Sequence, residues 1–125
     1  MNRIAMLMLV GALFLTMIPG VASAAVIQCT TVPCYGTDNS DTIYERVGNG
    51  LDDVIYGRGG GDVINADRYK NDRDRLYGGR GNDRLNTSDN DKRDLINCGK
   101  GKHDVAILDK GDNVNHKNCE SIRYR

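Results

Sequence analysis

Four hexads, each opening on glycine and closing on aspartate, recur every 21 residues: Gly36–Asp41, Gly57–Asp62, Gly78–Asp83 and Gly99–Asp104. Two places after each aspartate stands an apolar residue, giving the column Ile43, Ile64, Leu85 and Ala106. A second series lies between the first. It closes on Asp53, Asp74, Asp94 and Asp112, with Ile55, Leu76, Ile96 and Val114 two places on. Each period therefore has two halves. The short half spans nine residues, from Asp53 to Asp62 and from Asp74 to Asp83, and the stretched half spans twelve, from Asp41 to Asp53 and from Asp62 to Asp74. A fixed period of this size marks a solenoid, because a single unit cannot bury its own apolar face and must stack on its neighbours.

A turn followed by a short strand with one inward aliphatic, repeated on alternating sides, winds into an all-β fold. The expected form is a parallel β-roll, a β-solenoid with about 21 residues per coil. Strands are expected at 41–44, 53–56, 62–65, 74–77 and 83–86, and no stretch after residue 24 shows a helical period. The chain divides into a signal peptide at 1–24, an N-terminal cap at 25–35, the repeats at 36–107 and a C-terminal cap at 108–125. The signal reading rests on Arg3, the apolar run Ile4–Ile18 and the small residues Ala22, Ser23 and Ala24. It makes the mature protein a secreted one, with no membrane association after cleavage. Arg3 is the one charge in the leader, so 16 basic and 17 acidic side chains remain. That balance favours neither nucleic acid nor a membrane surface.

The acids are 15 Asp against 2 Glu, an imbalance that neither helix formation nor solubility explains. In a stack of coils, equivalent Asp residues lie one strand spacing apart, near 4.8 Å at the backbone. Two carboxylates about 5 Å apart repel by roughly 3 kcal/mol at an effective dielectric near 20. A hard divalent cation relieves this best. Ca2+ takes six to eight oxygens in flexible geometry, whereas Mg2+ demands a tight octahedron and zinc prefers His and Cys clusters that the chain lacks. Arg and Lys interleaved with the acids, as at Asp72–Arg75, offer salt bridges as the competing means of neutralisation. The Asp89, Asp91 and Asp94 loop is oxygen-rich enough to bind Ca2+ by itself, and its simpler reading is a solvated loop.

Gly78–Asn86 carries every fixed position of the Gly-Gly-x-Gly-x-Asp-x-apolar-x nonapeptide, and Gly57–Asn65 and Gly48–Tyr56 are looser copies. In this the chain resembles the repeats-in-toxin (RTX), or haemolysin-type calcium-binding, family over roughly Gly36–Val114, and within it the small stand-alone members with an N-terminal export signal. The resemblance implies a roll with Ca2+ held between turns on the same side of successive coils. Carried over by position, it implicates Asp41, Asp62, Asp83 and Asp104 on the short side, with Asp53 and Asp74 as counterparts on the stretched side. Arg58 replaces the second glycine of one turn, His103 is an extra residue in another, and Ala66–Asp74 lacks the glycines.

Cys29, Cys34, Cys98 and Cys119 are read as two disulfides of an exported protein, with three pairings open. Pairing 29 with 34 closes a small N-terminal loop, and pairing 98 with 119, one coil apart, bridges neighbouring rungs. Tyr44, Tyr56 and Tyr77 are expected to cover a thin core. Such a core, at about 1.5–3 kcal/mol per buried aliphatic, leaves folding dependent on metal and disulfides. The expected function is Ca2+ binding by a non-enzymatic protein. The alternative is a metal-independent structural or adhesive solenoid that contacts a cell-surface polymer or protein. Catalysis is disfavoured, since Ser40, Ser88 and Ser121 lack a strand-to-helix nucleophile motif and the acids repeat identically.

Overall fold

The computed structural model describes residues 23–48, 50–115 and 118–125. The signal segment, apart from its last two residues, lies outside this range. Eleven strands are present and no helix occurs among the described residues. In chain order they are β1 (Val26–Gln28), β2 (Cys34–Tyr35), β3 (Thr42–Tyr44), β4 (Val54–Gly59), β5 (Val63–Asn65), β6 (Arg75–Arg80), β7 (Arg84–Asn86), β8 (Leu95–Lys100), β9 (Val105–Leu108), β10 (Asn113–Val114) and β11 (Ser121–Tyr124).

Odd-numbered and even-numbered strands separate into two parallel sheets, ordered β1-β3-β5-β7-β9-β11 and β10-β8-β6-β4-β2. Because a parallel neighbour must be reached by a crossover, every coil visits one sheet and then the other. The result is a parallel β-solenoid. Its register follows the period: Ile43 pairs with Ile64 and Ile64 with Leu85, while Ile55 pairs with Leu76 and Leu76 with Ile96. Both apolar columns are buried in one continuous core, from Ile43 and Ile55 to Ala106 and Val114.

The segments expected as caps carry the outermost rungs. Strand β1 pairs with β3, β2 with β4, and β11 with β9, so the roll runs nearly the length of the described chain. Cys29 is bonded to Cys34 and Cys98 to Cys119. Strands β4 and β6 are longer than the expected 53–56 and 74–77 because they, like β8, continue into the glycine turn. There Arg58 pairs with Gly79 and Gly79 with Gly99. Gly99 is thus the mate of Gly79 rather than of Gly78, and Cys98 follows Gly78 in the column. The eleven-residue half from Asp83 to Asp94 shortens the offset to 20, and the longer turn before Asp104 restores it to 21.

On the outer face of the even sheet, Tyr35, Tyr56 and Tyr77 stack at centroid spacings of 5.3 and 4.7 Å. Their faces are occupied by one another, as strand-to-strand pairing of like aromatics dictates. Tyr44, on the odd sheet, is outside this stack.

Candidate metal centre

The turn aspartates point into the roll. Asp41, Asp62, Asp83 and Asp104 are all buried, and each carboxylate accepts a hydrogen bond from the coil before it. The Asp41 N–H donates to Asp62 Oδ1 at 2.8 Å, the Asp62 N–H to Asp83 Oδ1 at 2.8 Å, and the Asp83 N–H to Asp104 Oδ1 at 2.7 Å. The Ala25 N–H closes this ladder on Asp41 Oδ1 at 3.0 Å, and Glu120 Oε2 closes the other end by accepting from the Asp104 N–H at 2.8 Å. One oxygen of each acid is therefore committed to the stack.

The second oxygen separates the four. Asp41 Oδ2 accepts from the Thr37 N–H at 2.6 Å and the Thr37 hydroxyl at 2.9 Å. Burial pushes the Asp41 pKa up, but the N–H groups of Thr37 and Ala25 outweigh it and the net shift is downward. Oδ2 of Asp62, Asp83 and Asp104 is buried with no hydrogen-bond partner. Burial raises Asp62 and Asp83 to about 6, despite the neighbouring N–H, and neighbouring aspartates add to the rise. Asp104 is raised by burial and then by the charge of Glu120.

Glycine makes room beside these free oxygens. A Cβ placed on Gly57 would lie 2.3 Å from Asp62 Oδ2 and 2.5 Å from the Gly78 carbonyl oxygen. On Gly78 it would lie 2.4 Å from Asp83 Oδ2 and 2.4 Å from the Cys98 carbonyl oxygen. A carboxylate and a main-chain carbonyl of the next coil thus converge on the same small space, the donor pair a hard cation takes.

The stretched side repeats the ladder. The Asp53 N–H donates to Asp74 Oδ1 at 2.8 Å, the Asp74 N–H to Asp94 Oδ1 at 2.8 Å, and the Asp94 N–H to Asp112 Oδ1 at 3.2 Å. Asp53 is satisfied within the protein, by the Arg46 N–H on Oδ2 at 3.0 Å and Arg46 Nε on Oδ1 at 2.6 Å. This is the one ion pair among the described residues. Beyond Asp53, no acid of either ladder is neutralised by a salt bridge among the described residues. Asp74 and Asp94 each keep a buried Oδ2 without a partner. Burial lifts them to about 8 and about 9, with further contributions from Asp72 and Glu45 at Asp74, and from Asp74 and Asp89 at Asp94.

The loops of the stretched half add acids that the repeat does not mark. Glu45 is buried, accepts the Arg68 N–H on Oε1 at 2.6 Å, leaves Oε2 unpartnered, and is raised to about 7 chiefly by burial. Asp72 is 1% exposed and neither of its oxygens has a partner. Asp89 and Asp94 are buried as well and Asp91 is half-buried, so the loop turns these acids inward while Asn90, Lys92 and Arg93 are exposed. Ligand oxygens of Glu45, Asp72 and Asp74 lie within 4.8 Å of one another, as do those of Asp72, Asp91 and Asp94.

Of the six expected ligands, Asp62, Asp83, Asp104 and Asp74 thus offer a buried free oxygen, whereas Asp41 and Asp53, at the N-terminal ends of their ladders, are saturated by hydrogen bonds. Sequence reasoning missed Glu45 and Asp72. Their signal is the density of acid in the stretched loops, at positions that are not equivalent from coil to coil, which a search at fixed period passes over. Comparison with protein-family models, with curated proteins and with solved structures gives no match.

Proposed function

We propose that this is an exported, non-enzymatic β-roll that binds Ca2+ and folds fully only when it does so, in the manner that its resemblance to the RTX repeats implies. One observation carries the reading: two vertical ladders of buried aspartates, in which Asp62, Asp83, Asp104, Asp74 and Asp94 each retain a carboxylate oxygen that no protein group satisfies. A buried charge without a partner is costly, so each such oxygen calls for a proton or a cation. At neutral pH outside a cell, where calcium is plentiful, the cation is the better match. The donors are oxygens only, which suits Ca2+ over transition metals. The two disulfides favour an oxidising compartment.

Identical carboxylates repeated up a stack serve laddered ligands rather than one tuned acid–base pair. A site with a dissociation constant near 10⁻⁴ M adds roughly 1.4 kcal/mol of stability at about 1 mM Ca2+. Several such sites decide whether a small roll is folded. Calorimetric titration of the EDTA-stripped protein with Ca2+ tests the proposal, with saturable uptake expected. No uptake, with a cell-surface polymer or protein bound instead, would establish the metal-independent adhesive solenoid.

A further inference from the structure

We propose that the stretched side of the roll holds two divalent, oxygen-preferring cations bridged by the Asp72 carboxylate, one also held by Glu45 and Asp74, the other by Asp91 and Asp94. The centre rests on the Ca2+ reading above and narrows it to a site that lies outside the glycine turns. Its geometry comes from two oxygen triads, Glu45–Asp72–Asp74 and Asp72–Asp91–Asp94, that share Asp72 alone.

Independent of the clustering is the state of Asp72 itself. The residue is 1% exposed, yet neither carboxylate oxygen accepts a hydrogen bond from another residue. Every other turn or loop aspartate with a free buried oxygen spends its second one on a backbone N–H; for Asp89 that donor is the Asp91 N–H at 2.9 Å. Asp72 alone is left with two free oxygens, as a carboxylate joining two cations requires. Each triad supplies further unpartnered oxygens, Glu45 Oε2 and Asp74 Oδ2 in one and Asp94 Oδ2 in the other. Asp91 accepts the Asn71 N–H on Oδ2 at 2.8 Å and the Arg93 N–H on Oδ1 at 2.9 Å. Unlike Asp53, it has no basic side chain to neutralise it among the described residues, and each oxygen keeps a lone pair for the ion.

The basic residues of these loops do not serve in place of metal. Arg68, Lys70, Arg73, Lys92 and Arg93 are all exposed, and the Arg68 guanidinium lies over the Tyr69 ring at 6.0 Å. The acids of the two triads are buried or half-buried, these bases face out, and Arg46, the base beside Glu45, is taken up by Asp53. Five carboxylates meet in the two triads, so two divalent ions bring the charge from −5 to −1, whereas one ion would leave −3. No His or Cys is among the donors, which selects a hard cation such as Ca2+.

Ca2+ stoichiometry at about 1 mM, an extracellular level, tests this on the purified, EDTA-stripped protein. Asp72→Asn is expected to bind two fewer ions per chain than the unaltered protein. Glu45→Gln and Asp91→Asn are each expected to bind one fewer, and the double variant, which keeps Asp72, two fewer. The double variant stands in if Asp72→Asn does not fold. A loss of one or none in Asp72→Asn, or unchanged stoichiometry in Glu45→Gln and Asp91→Asn, overturns the bridged centre while leaving Ca2+ binding intact. An unaltered protein that takes up no Ca2+ overturns both.

Discussion

Two aspartates in equivalent places behave differently because of one neighbour each. Asp41 has Thr37 four residues before it, and Asp53 has Arg46 seven residues before it, so both are saturated without metal. Asp83 has Gly79 where Asp41 has Thr37, and its Oδ2 stays free. The apolar columns were legible because burial in a roll obeys the same period as the backbone. The saturation of Asp41 and Asp53 was not, since it depends on single side chains at the first coils, where the pattern ends. Arg58 shows the same limit from the other direction. It occupies the place of a motif glycine with φ 82°, alongside Gly79 at 104° and Gly99 at 98°. A residue with a Cβ sustains this conformation at a cost of about 1–2 kcal/mol. Arg58→Gly is therefore expected to stabilise the protein by about 1 kcal/mol, read as a higher midpoint in chemical denaturation.

At the scale of the element, the two halves of a coil solve the same problem with different means. The short half is a glycine turn in which, at Gly57 and Gly78, the chain comes so close to the next coil that no side chain fits. Gly78→Ala would set its Cβ 2.4 Å from both Asp83 Oδ2 and the Cys98 carbonyl, and the latter cannot swing away. The expected loss is about 1–3 kcal/mol of stability, together with weaker Ca2+ uptake on that side. The stretched halves from Asp62 to Asp74 and from Asp83 to Asp94 contain no glycine and supply carboxylates instead. Glu45 and Asp72 stand at different places in loops of equal length, four residues after Asp41 and ten after Asp62, so they show no common period although the fold brings them together. The disulfide between Cys98 and Cys119 ties the last full coil to the segment leading into β11. Replacing both with serine releases a loop of about 20 residues, for which chain entropy gives a loss of about 3 kcal/mol, measurable by denaturant titration.

Across the whole molecule, the core is one aliphatic per half-coil and its flanks are columns of acid. The raised carboxylates fix how stability follows pH. Glu45 near 7, Asp62, Asp83 and Asp89 near 6, Asp74 near 8 and Asp94 near 9 all bind protons more tightly folded than unfolded, where the acids titrate near 3.8 and 4.5. Without metal, the stability they contribute is fully present below about pH 4 and is lost as pH rises through the folded values to about 9. Under the proposed function, Ca2+ takes over the role of the proton in the upper part of that range. The most direct test is the thermal melt of the EDTA-stripped protein between pH 4 and pH 9, with and without about 1 mM Ca2+. The account predicts a metal-free melting temperature that falls as pH rises, and a Ca2+-dependent gain that is large at pH 8 and small at pH 4. Melts at pH 8 that coincide with and without Ca2+ would contradict it.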